Sequence, residues 1–84
     1  MFEARIHVTL KKSVLDPQGD TVRNALATLG FQGVTDCRIG KFLVLRLAER
    51  DAAAGRAQVD EMCRKLLANP VIEDYLFEIT EVAE

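Results

Sequence analysis

Very little in this 84-residue chain is equipped for chemistry. It has one histidine, one tyrosine, two cysteines and no tryptophan. It contains no run of about 20 apolar residues and no basic segment followed by an apolar one at its start, so we expect neither a membrane span nor a secretory signal. The formal net charge of −2 argues against a nucleic-acid partner. We therefore expect a cytoplasmic protein with no membrane or nucleic-acid partner.

The side chains that could carry a reaction are His7, Cys37 and Cys63. His7 falls in the middle of a predicted strand on its polar side. The sequence indicates neither a carboxylate to orient it nor a nucleophile for it to activate as a general base. Cys63 falls in the apolar stripe of a predicted helix, where a cysteine packs as a small hydrophobe. Cys37 has no histidine partner in sequence, and the two cysteines lack metal-ligand spacing. We expect no catalytic residue and no metal site.

Hydrophobic spacing predicts four strands and two helices. Strict alternation of apolar and polar residues predicts a strand over residues 2–10, and shorter runs predict strands over 34–39, 42–48 and 74–82. Gly40-Lys41 fits a two-residue hairpin turn between the second and third strands. A second helix is predicted over 53–68, ending at Asn69-Pro70 because proline disfavours the helical conformation in the residue before it.

The first predicted helix has a signal at each end. Asp16 is a favourable N-cap. Pro17 is a favourable first residue because proline lacks the backbone N–H, which has no partner within the helix at this position. Gly30 suits the left-handed position after the last turn, followed by Phe31 as in a Schellman ending. Its predicted buried stripe consists of Val22, Ala25, Leu26 and Leu29. The corresponding stripe of the second helix consists of Val59, Met62, Cys63, Leu66 and Leu67.

These elements predict an α+β fold over residues 1–84 as a single domain. The order βαββαβ is that of a two-layer ferredoxin-like sandwich, with two helices on one face of a four-stranded, mainly antiparallel sheet. The other face of the sheet would be left uncovered, and its half-polar, half-apolar composition suits a subunit interface. On the first and last strands that face carries Glu3, Arg5, His7, Thr9, Leu76, Glu78, Thr80 and Val82.

Several separated segments carry a resemblance to a known family. They are Val14-Leu15-Asp16-Pro17-Gln18-Gly19, Ala25-Leu26, Leu29-Gly30-Phe31, Arg38-Ile39-Gly40-Lys41 and the long segment from Cys63 to Tyr75 that contains Asn69-Pro70. In this order and spacing, over nearly the whole chain, they resemble the PurS family, the small subunit of phosphoribosylformylglycinamidine (FGAM) synthase. The chain departs from the family pattern at Phe42-Leu43-Val44-Leu45 and Leu76, which make the open face more apolar.

The resemblance implies a non-catalytic structural subunit of a ligase complex of de novo purine synthesis. The complex makes FGAM from formylglycinamide ribonucleotide, glutamine and ATP. The small subunit would form a homodimer or tetramer, bridge a glutaminase subunit and a large synthetase subunit, and assist ammonia transfer. It would bind no cofactor by itself, whereas the synthetase subunit uses ATP and magnesium. The residues implied in partner binding and assembly are Asp16, Pro17, Gln18, Gly19, Arg38, Gly40, Lys41, Asn69, Pro70, Glu73 and Tyr75.

Two other functions are compatible with the same residues. One is a regulatory ferredoxin-like module that binds a small ligand between paired domains. The other is an independent small enzyme, which would require His7 or Cys37 to be essential. Lys11, Lys12, Arg38 and Lys41 could also meet at one end of the sheet and bind an anion or an acidic partner, or remain solvated.

Overall fold

The central strand of an antiparallel sheet organises the fold of residues 1–83, the part of the chain that the computed structural model describes. The elements are β1 (Phe2–Leu10), α1 (Pro17–Thr28), β2 (Gly40–Leu47), α2 (Ala52–Met62) and β3 (Glu73–Glu81). A π-helical turn, Cys63–Leu67, continues α2. The strand order is β2-β1-β3, and β1 pairs antiparallel with both neighbours.

The alternation in β1 produces the core, as predicted. Phe2, Ala4, Ile6 and Val8 are each at most 7% exposed and lie on the face that α2 covers. Burial of branched and aromatic side chains in this way supplies the main driving force for folding. The inward face of β3 contributes three half-buried residues, Tyr75, Phe77 and Ile79.

The predicted four-stranded sheet is wrong, because within residues 1–83 the sheet has three strands. Residues 34–39 form no strand, since their polar groups bond to the segment before α1. The Ile39 N–H and the Arg38 guanidinium are both engaged there. The predicted hairpin at Gly40-Lys41 is wrong for the same reason: Gly40 is the first residue of β2 and pairs with Thr9.

α1 has the predicted ends, but its predicted packing on the sheet is wrong. Asp16 caps it, Pro17 is its first residue, and Gly30 has φ of 104°. The Phe31 N–H donates to the Leu26 carbonyl at 2.9 Å, which completes the Schellman ending. However, α1 does not lie on the sheet. Its predicted buried stripe is wrong: Val22 is 38% exposed, Leu29 is 73% exposed, Ala25 is exposed and Leu26 is half-buried.

α2 and the π-helical turn that continues it cover the inner face of the sheet. Val59 and Cys63 are fully buried, and the ion pairs Asp60–Arg64 and Glu61–Lys65 form at 3.1 and 2.6 Å on the outer side. Leu66, predicted as buried, is 82% exposed. The Ala68 N–H donates to the Cys63 carbonyl five residues back, so the wider π-helical turn rotates Leu66 away from the core.

Candidate functional site

The two proline-containing segments meet at one end of the sheet, where β1 ends and β2 and β3 begin. Thr9 pairs with Gly40, and Leu10 pairs with Glu73, so the starts of both outer strands flank the end of β1. Between them lies a cleft of about 270 Å³, here called the corner cleft. Its lining consists of Leu10, Asp16, Gln18, Ile39, Gly40, Lys41 and Glu73.

The first wall of the corner cleft is organised by the buried carboxylate of Asp16. Its two oxygens accept hydrogen bonds from the Gly19 and Ile39 N–H groups, each at 2.9 Å. These bonds, that from Ile39 foremost, hold the pKa of Asp16 below its ordinary value because they stabilise the charged form. One aspartate therefore joins the start of α1 to the segment that leads into β2.

Two further contacts tighten this wall. Arg38 donates to the Val14 carbonyl at 2.7 Å and to the Lys12 carbonyl at 3.0 Å. Gly19 is buried so close to the Cys37 carbonyl oxygen that a β-carbon at this position would collide with it. The segments before α1 and before β2 are thus fixed to each other by hydrogen bonds and by close packing.

The second wall is a turn built on Asn69. Its N–H donates to Glu73 Oε1 at 2.7 Å, and its side-chain oxygen accepts from the Val71 N–H at 3.1 Å. Its carbonyl accepts from the Ile72 and Glu73 N–H groups. Pro70 is exposed at the tip of the turn. The turn therefore satisfies its own polar groups and presents a rigid outer surface.

Lysines connect the two walls to the neighbouring elements. Lys41 Nζ donates to the Leu67 carbonyl at 3.3 Å, at the end of the π-helical turn. Lys11 Nζ lies 2.7 Å from Asp74 Oδ1, and the Lys11 N–H donates to the Ile72 carbonyl. Of the four basic residues expected to gather at this end, Arg38, Lys41 and Lys11 are bonded to protein groups.

Tyr75 is one of the predicted site residues that do not line the corner cleft. Its hydroxyl donates to Asp60 Oδ1 at 2.6 Å, which fastens β3 to α2. This hydrogen bond, together with burial, raises the pKa of Tyr75, because the neutral phenol is the donor. No local sequence signal indicated the Tyr75–Asp60 pair, since the residues are 15 positions apart on different elements.

No set of side chains suited to acid–base or nucleophilic catalysis comes together in residues 1–83. His7 lies on the open face of β1, where its ring centroid is 4.7 Å from that of Phe42. Cys63 is buried, which raises its pKa and disfavours the reactive thiolate. Cys37 lies in the loop before β2. The same residues contain no group of three His, Cys, Asp or Glu side chains placed to hold a metal ion.

The fold and the corner cleft define a small α+β protein in which polar residues such as Asp16, Arg38 and Asn69 hydrogen-bond to the protein backbone. Over residues 3–81 the chain matches the family model PurS, described as phosphoribosylformylglycinamidine (FGAM) synthase. The chain belongs to the PurS family, as its sequence motifs predicted. Neither helix within residues 1–83 has the length and apolar character needed to cross a membrane.

Individual relatives agree with this assignment. The chain is 52% identical to phosphoribosylformylglycinamidine synthase subunit PurS of Synechocystis over 94% of its own length and 79% of the relative. It is similar to the crystal structure of Methanocaldococcus jannaschii PurS, with TM-score 0.88, 38% identity and coverage of 99% and 100% of the two chains. A chain in the Thermotoga maritima PurLQS structure matches with TM-score 0.86, 29% identity and coverage of 94% and 96%.

Proposed function

We propose that this chain is the structural subunit that joins the glutaminase and synthetase subunits of FGAM synthase and assists ammonia transfer between them. As a member of the PurS family, it is a subunit of this ligase of purine biosynthesis and has no catalytic site of its own. The observation that carries the proposal is the corner cleft, where buried Asp16 and the Asn69 turn use their polar groups to hold a shape. The comparisons do not favour a ligand-binding regulatory module.

The chemistry of ammonia explains why such a subunit is useful. Free ammonia in neutral water is mostly ammonium, which has no lone pair for attack. A complex that releases ammonia at one subunit and uses it at another therefore gains from a closed, partly desolvated route. The subunit that closes this route needs a well-defined surface, and it needs neither a nucleophile nor a base. ATP and magnesium are assigned in this proposal to the synthetase subunit.

The corner cleft is the proposed docking surface. Exposed Gln18 lines it, and exposed Pro17 and Pro70 lie on the adjoining segments, in which Asp16 and Asn69 accept backbone hydrogen bonds. A surface of this kind loses little conformational entropy when it binds a partner. In the proposal, Asp16, Gly19, Arg38, Gly40, Asn69, Glu73 and Tyr75 maintain the surface, whereas Pro17, Gln18, Lys41 and Pro70 contact the partner subunits. We propose that the complex works in the cytoplasm.

We also propose that the chain associates with itself, as a dimer or tetramer. Two apolar surfaces are available for this. One is the outer side of α1, and the other is the open face of the sheet, where Phe42 is 56%, Val44 51% and Leu76 63% exposed. Exposed apolar residues gathered on one face are typical of interfaces between subunits.

Reconstitution tests the bridging function. Mixed with its cognate glutaminase and synthetase subunits, the chain should be required for glutamine-dependent FGAM formation and should reduce the release of free ammonia. Alone it should form no product. His7→Ala and Cys37→Ala should leave the rate of the complex within about threefold, because neither residue takes part in the reaction. The proposal fails if glutamine-driven activity is the same with the chain left out.

A matched pair of variants tests the docking surface. Gln18→Arg places a large charged side chain at the corner cleft and should weaken co-elution with the partner subunits at least about tenfold. Asn24→Arg makes the same kind of change on exposed α1 surface outside the cleft lining and should have no such effect. Both variants should unfold at the wild-type temperature. Equal binding by the two variants would rule out the corner cleft as the docking surface.

A further inference from the structure

β3 is an edge of the sheet, and only one of its two sides has a neighbouring strand. The strand order is β2-β1-β3, so within residues 1–83 β3 pairs with β1 alone. The pairing runs through nine consecutive residue pairs, from Leu10↔Glu73 to Phe2↔Glu81, without a bulge. Edge strands are commonly protected by short length, proline, lysine or a bulge, and β3 has none of these. Its outer side is therefore a complete template for one more strand.

The hydrogen bonds at the two ends of the β1–β3 pair show which backbone groups of β3 face outward. The Lys11 N–H donates to the Ile72 carbonyl at 2.8 Å, and the Val82 N–H donates to the Met1 carbonyl at 2.9 Å. In an antiparallel pair every second residue bonds to the residue opposite it, so the even-numbered residues of β3 bond to β1. The odd-numbered residues in the middle of the strand direct their N–H and carbonyl groups away from β1; they are Tyr75, Phe77 and Ile79.

The inner face of β3 is also incompletely covered at this edge. Tyr75, Phe77 and Ile79 are half-buried, whereas the three side chains opposite them on β1 are fully buried. The rings of Tyr75 and Phe77 lie nearly parallel, with centroids 6.4 Å apart. Another strand beside β3 would bring its own inward side chains against these residues, because side chains of neighbouring strands on one face contact each other.

The charge of β3 is of one sign. Four of its nine residues are acidic and none is basic. Arg5 lies opposite Glu78 in the register, but its guanidinium bonds to Glu3 instead, at 3.2 Å. Glu78 is exposed and takes part in none of the ion pairs formed within residues 1–83. β2, the other edge strand, has the opposite character, with Lys41 and Arg46 and no acidic residue. A strand that carries lysine or arginine would complement β3.

These charges argue against a second copy of β3 as the added strand. Two fully overlapping β3 strands, related by a two-fold axis, would place Glu73 opposite Glu81. A shift of two residues in one direction would place Glu78 opposite its own copy, and a shift in the other would place Asp74 opposite Glu78. Like charges directly opposite each other are destabilising. Pairing of β3 with β2 of another copy would match the charges, but this head-to-tail contact would continue into an open filament.

We propose that the outer edge of β3 takes up one additional strand from a partner subunit of the complex, in which lysine or arginine alternates with apolar residues. The apolar residues would cover Tyr75 and Phe77 on the inner face, and a basic residue would lie opposite Glu78 on the open face. Strand addition obtains affinity from the main chain and specificity from the alternating side chains. The inference rests on the proposed docking to partner subunits, and it adds to the corner cleft a second surface, which begins where β3 begins.

Charge reversal tests the side chains of this contact. Glu78→Lys should raise the dissociation constant for the glutaminase and synthetase subunits at least about tenfold in biolayer interferometry, because it places two cations opposite each other. Asp36→Lys makes the same change in charge on the exposed loop before β2 and should have no such effect. Both variants should unfold at the wild-type temperature. Added salt should weaken binding of wild type more than binding of Glu78→Lys.

Backbone N-methylation tests the strand pairing directly. The thiol of Cys63 allows a synthetic peptide of residues 63–84 to be ligated to residues 1–62 as a thioester. Methylation of the Phe77 nitrogen removes an outward donor and leaves the ladder to β1 intact. This chain should fold as wild type does and bind the partner subunits at least about tenfold more weakly. Methylation of the Leu76 nitrogen is the control for the direction of these groups, because it removes a bond to β1 and should lower the unfolding temperature.

The outcomes separate strand addition from docking itself. A wild-type chain that binds neither partner subunit would overturn both. Binding that N-methylation of Phe77 leaves unchanged would overturn strand addition and leave docking at the corner cleft standing. Weaker self-association after this methylation, with unchanged binding of the partner subunits, would show that a second copy pairs with β3 and would also overturn the proposal. A loss of binding in Glu78→Lys alone would mean that the carboxylate meets the partner without a paired strand, with the same consequence.

Discussion

The two helices of this chain have similar amphipathic sequences and opposite surroundings. Each begins after an aspartate N-cap, Asp16 in α1 and Asp51 in α2. α2 buries Val59 completely against the sheet, whereas Val22 of α1 remains 38% exposed. The comparison shows that helical spacing of apolar residues predicts that a helix has a partner and does not predict that the partner belongs to the same chain.

The largest expected effect comes from placing a charge on the covered helix. Val59→Asp puts a carboxylate into a site with no exposure within the hydrophobic core, so it should destabilise the fold by at least about 4 kcal/mol. The matched change Val22→Asp should leave the fold of the monomer intact. Circular dichroism during thermal unfolding measures both variants.

The dependence of the unfolding temperature on protein concentration separates the Val59→Asp and Val22→Asp variants further. If α1 is stabilised by a second copy, the unfolding temperature of wild type rises with protein concentration, and that of Val22→Asp does not. Val59→Asp should be unfolded or strongly destabilised at every concentration. Equal, concentration-independent losses in the two variants would mean that α1 and α2 have the same kind of surroundings, contrary to the structure.

Most of α1 is exposed, but its first turn is buried at Gly19, and Gly19→Ala should show the effect of this burial. The added β-carbon would collide with the Cys37 carbonyl, so the contact between the two segments must open, at a cost of about 2–3 kcal/mol. Gly33→Ala is the control, because its β-carbon would meet nothing within 4 Å and its φ is not positive. It should be neutral or stabilising by up to about 1 kcal/mol. Similar losses in both variants would contradict the close contact at Gly19.

The Asp16 N-cap should make the stability of the fold sensitive to acid. Asp16 has a pKa below its ordinary value of 3.8 because of the hydrogen bonds from Ile39 and Gly19. The stability that its charge contributes is complete above about pH 4 and is lost as the pH falls through the lower folded value. Asp16→Asn should therefore lower the unfolding temperature at pH 7 by several degrees and flatten its decline below pH 4.

Asp51→Asn at the start of α2 is the matched control for this experiment. The Asp51 carboxylate accepts one hydrogen bond, from the Ala53 N–H at 3.2 Å, and none from another element. We expect this variant to lower the unfolding temperature at pH 7 by less than Asp16→Asn does, because it removes no bond between segments. An Asp16→Asn variant with the same decline below pH 4 as wild type would show that the Asp16 carboxylate does not hold the two segments together.

Local signals in the sequence predicted local structure well. The period of two in Phe2–Leu10 predicted β1 and its buried face, and Asp16, Pro17 and Gly30 predicted both ends of α1. These features depend on residues a few positions apart, so the sequence contains them directly. The family motifs include several residues that line the corner cleft, but their separation along the chain did not show that the segments meet.

The errors arose where long-range contacts decide the structure. Residues 34–39 have an acceptable strand pattern, but Asp16, more than 20 positions away, takes the Ile39 N–H that a strand would use. Leu66 has the right spacing for burial, but one π-helical turn shifts its direction. The apolar spacing in α1 correctly predicted an amphipathic helix. Its predicted packing within the chain is wrong, because spacing does not identify the partner.

Gly55→Ala completes the comparison with the smallest expected effect and the opposite sign to Gly19→Ala. Gly55 lies buried within α2, where a β-carbon would be 3.7 Å from the Leu47 side chain and 3.8 Å from the Ile79 side chain, which is ordinary packing distance. Glycine in a helix costs about 0.5–1 kcal/mol relative to alanine, so the variant should be more stable than wild type by about that amount. Urea unfolding monitored by circular dichroism has the required precision. A loss of stability would mean that the Gly55 β-carbon lies closer to the sheet than 3.7 Å. It would also remove the contrast between α2, where a β-carbon fits, and the first turn of α1, where a β-carbon at Gly19 collides with Cys37.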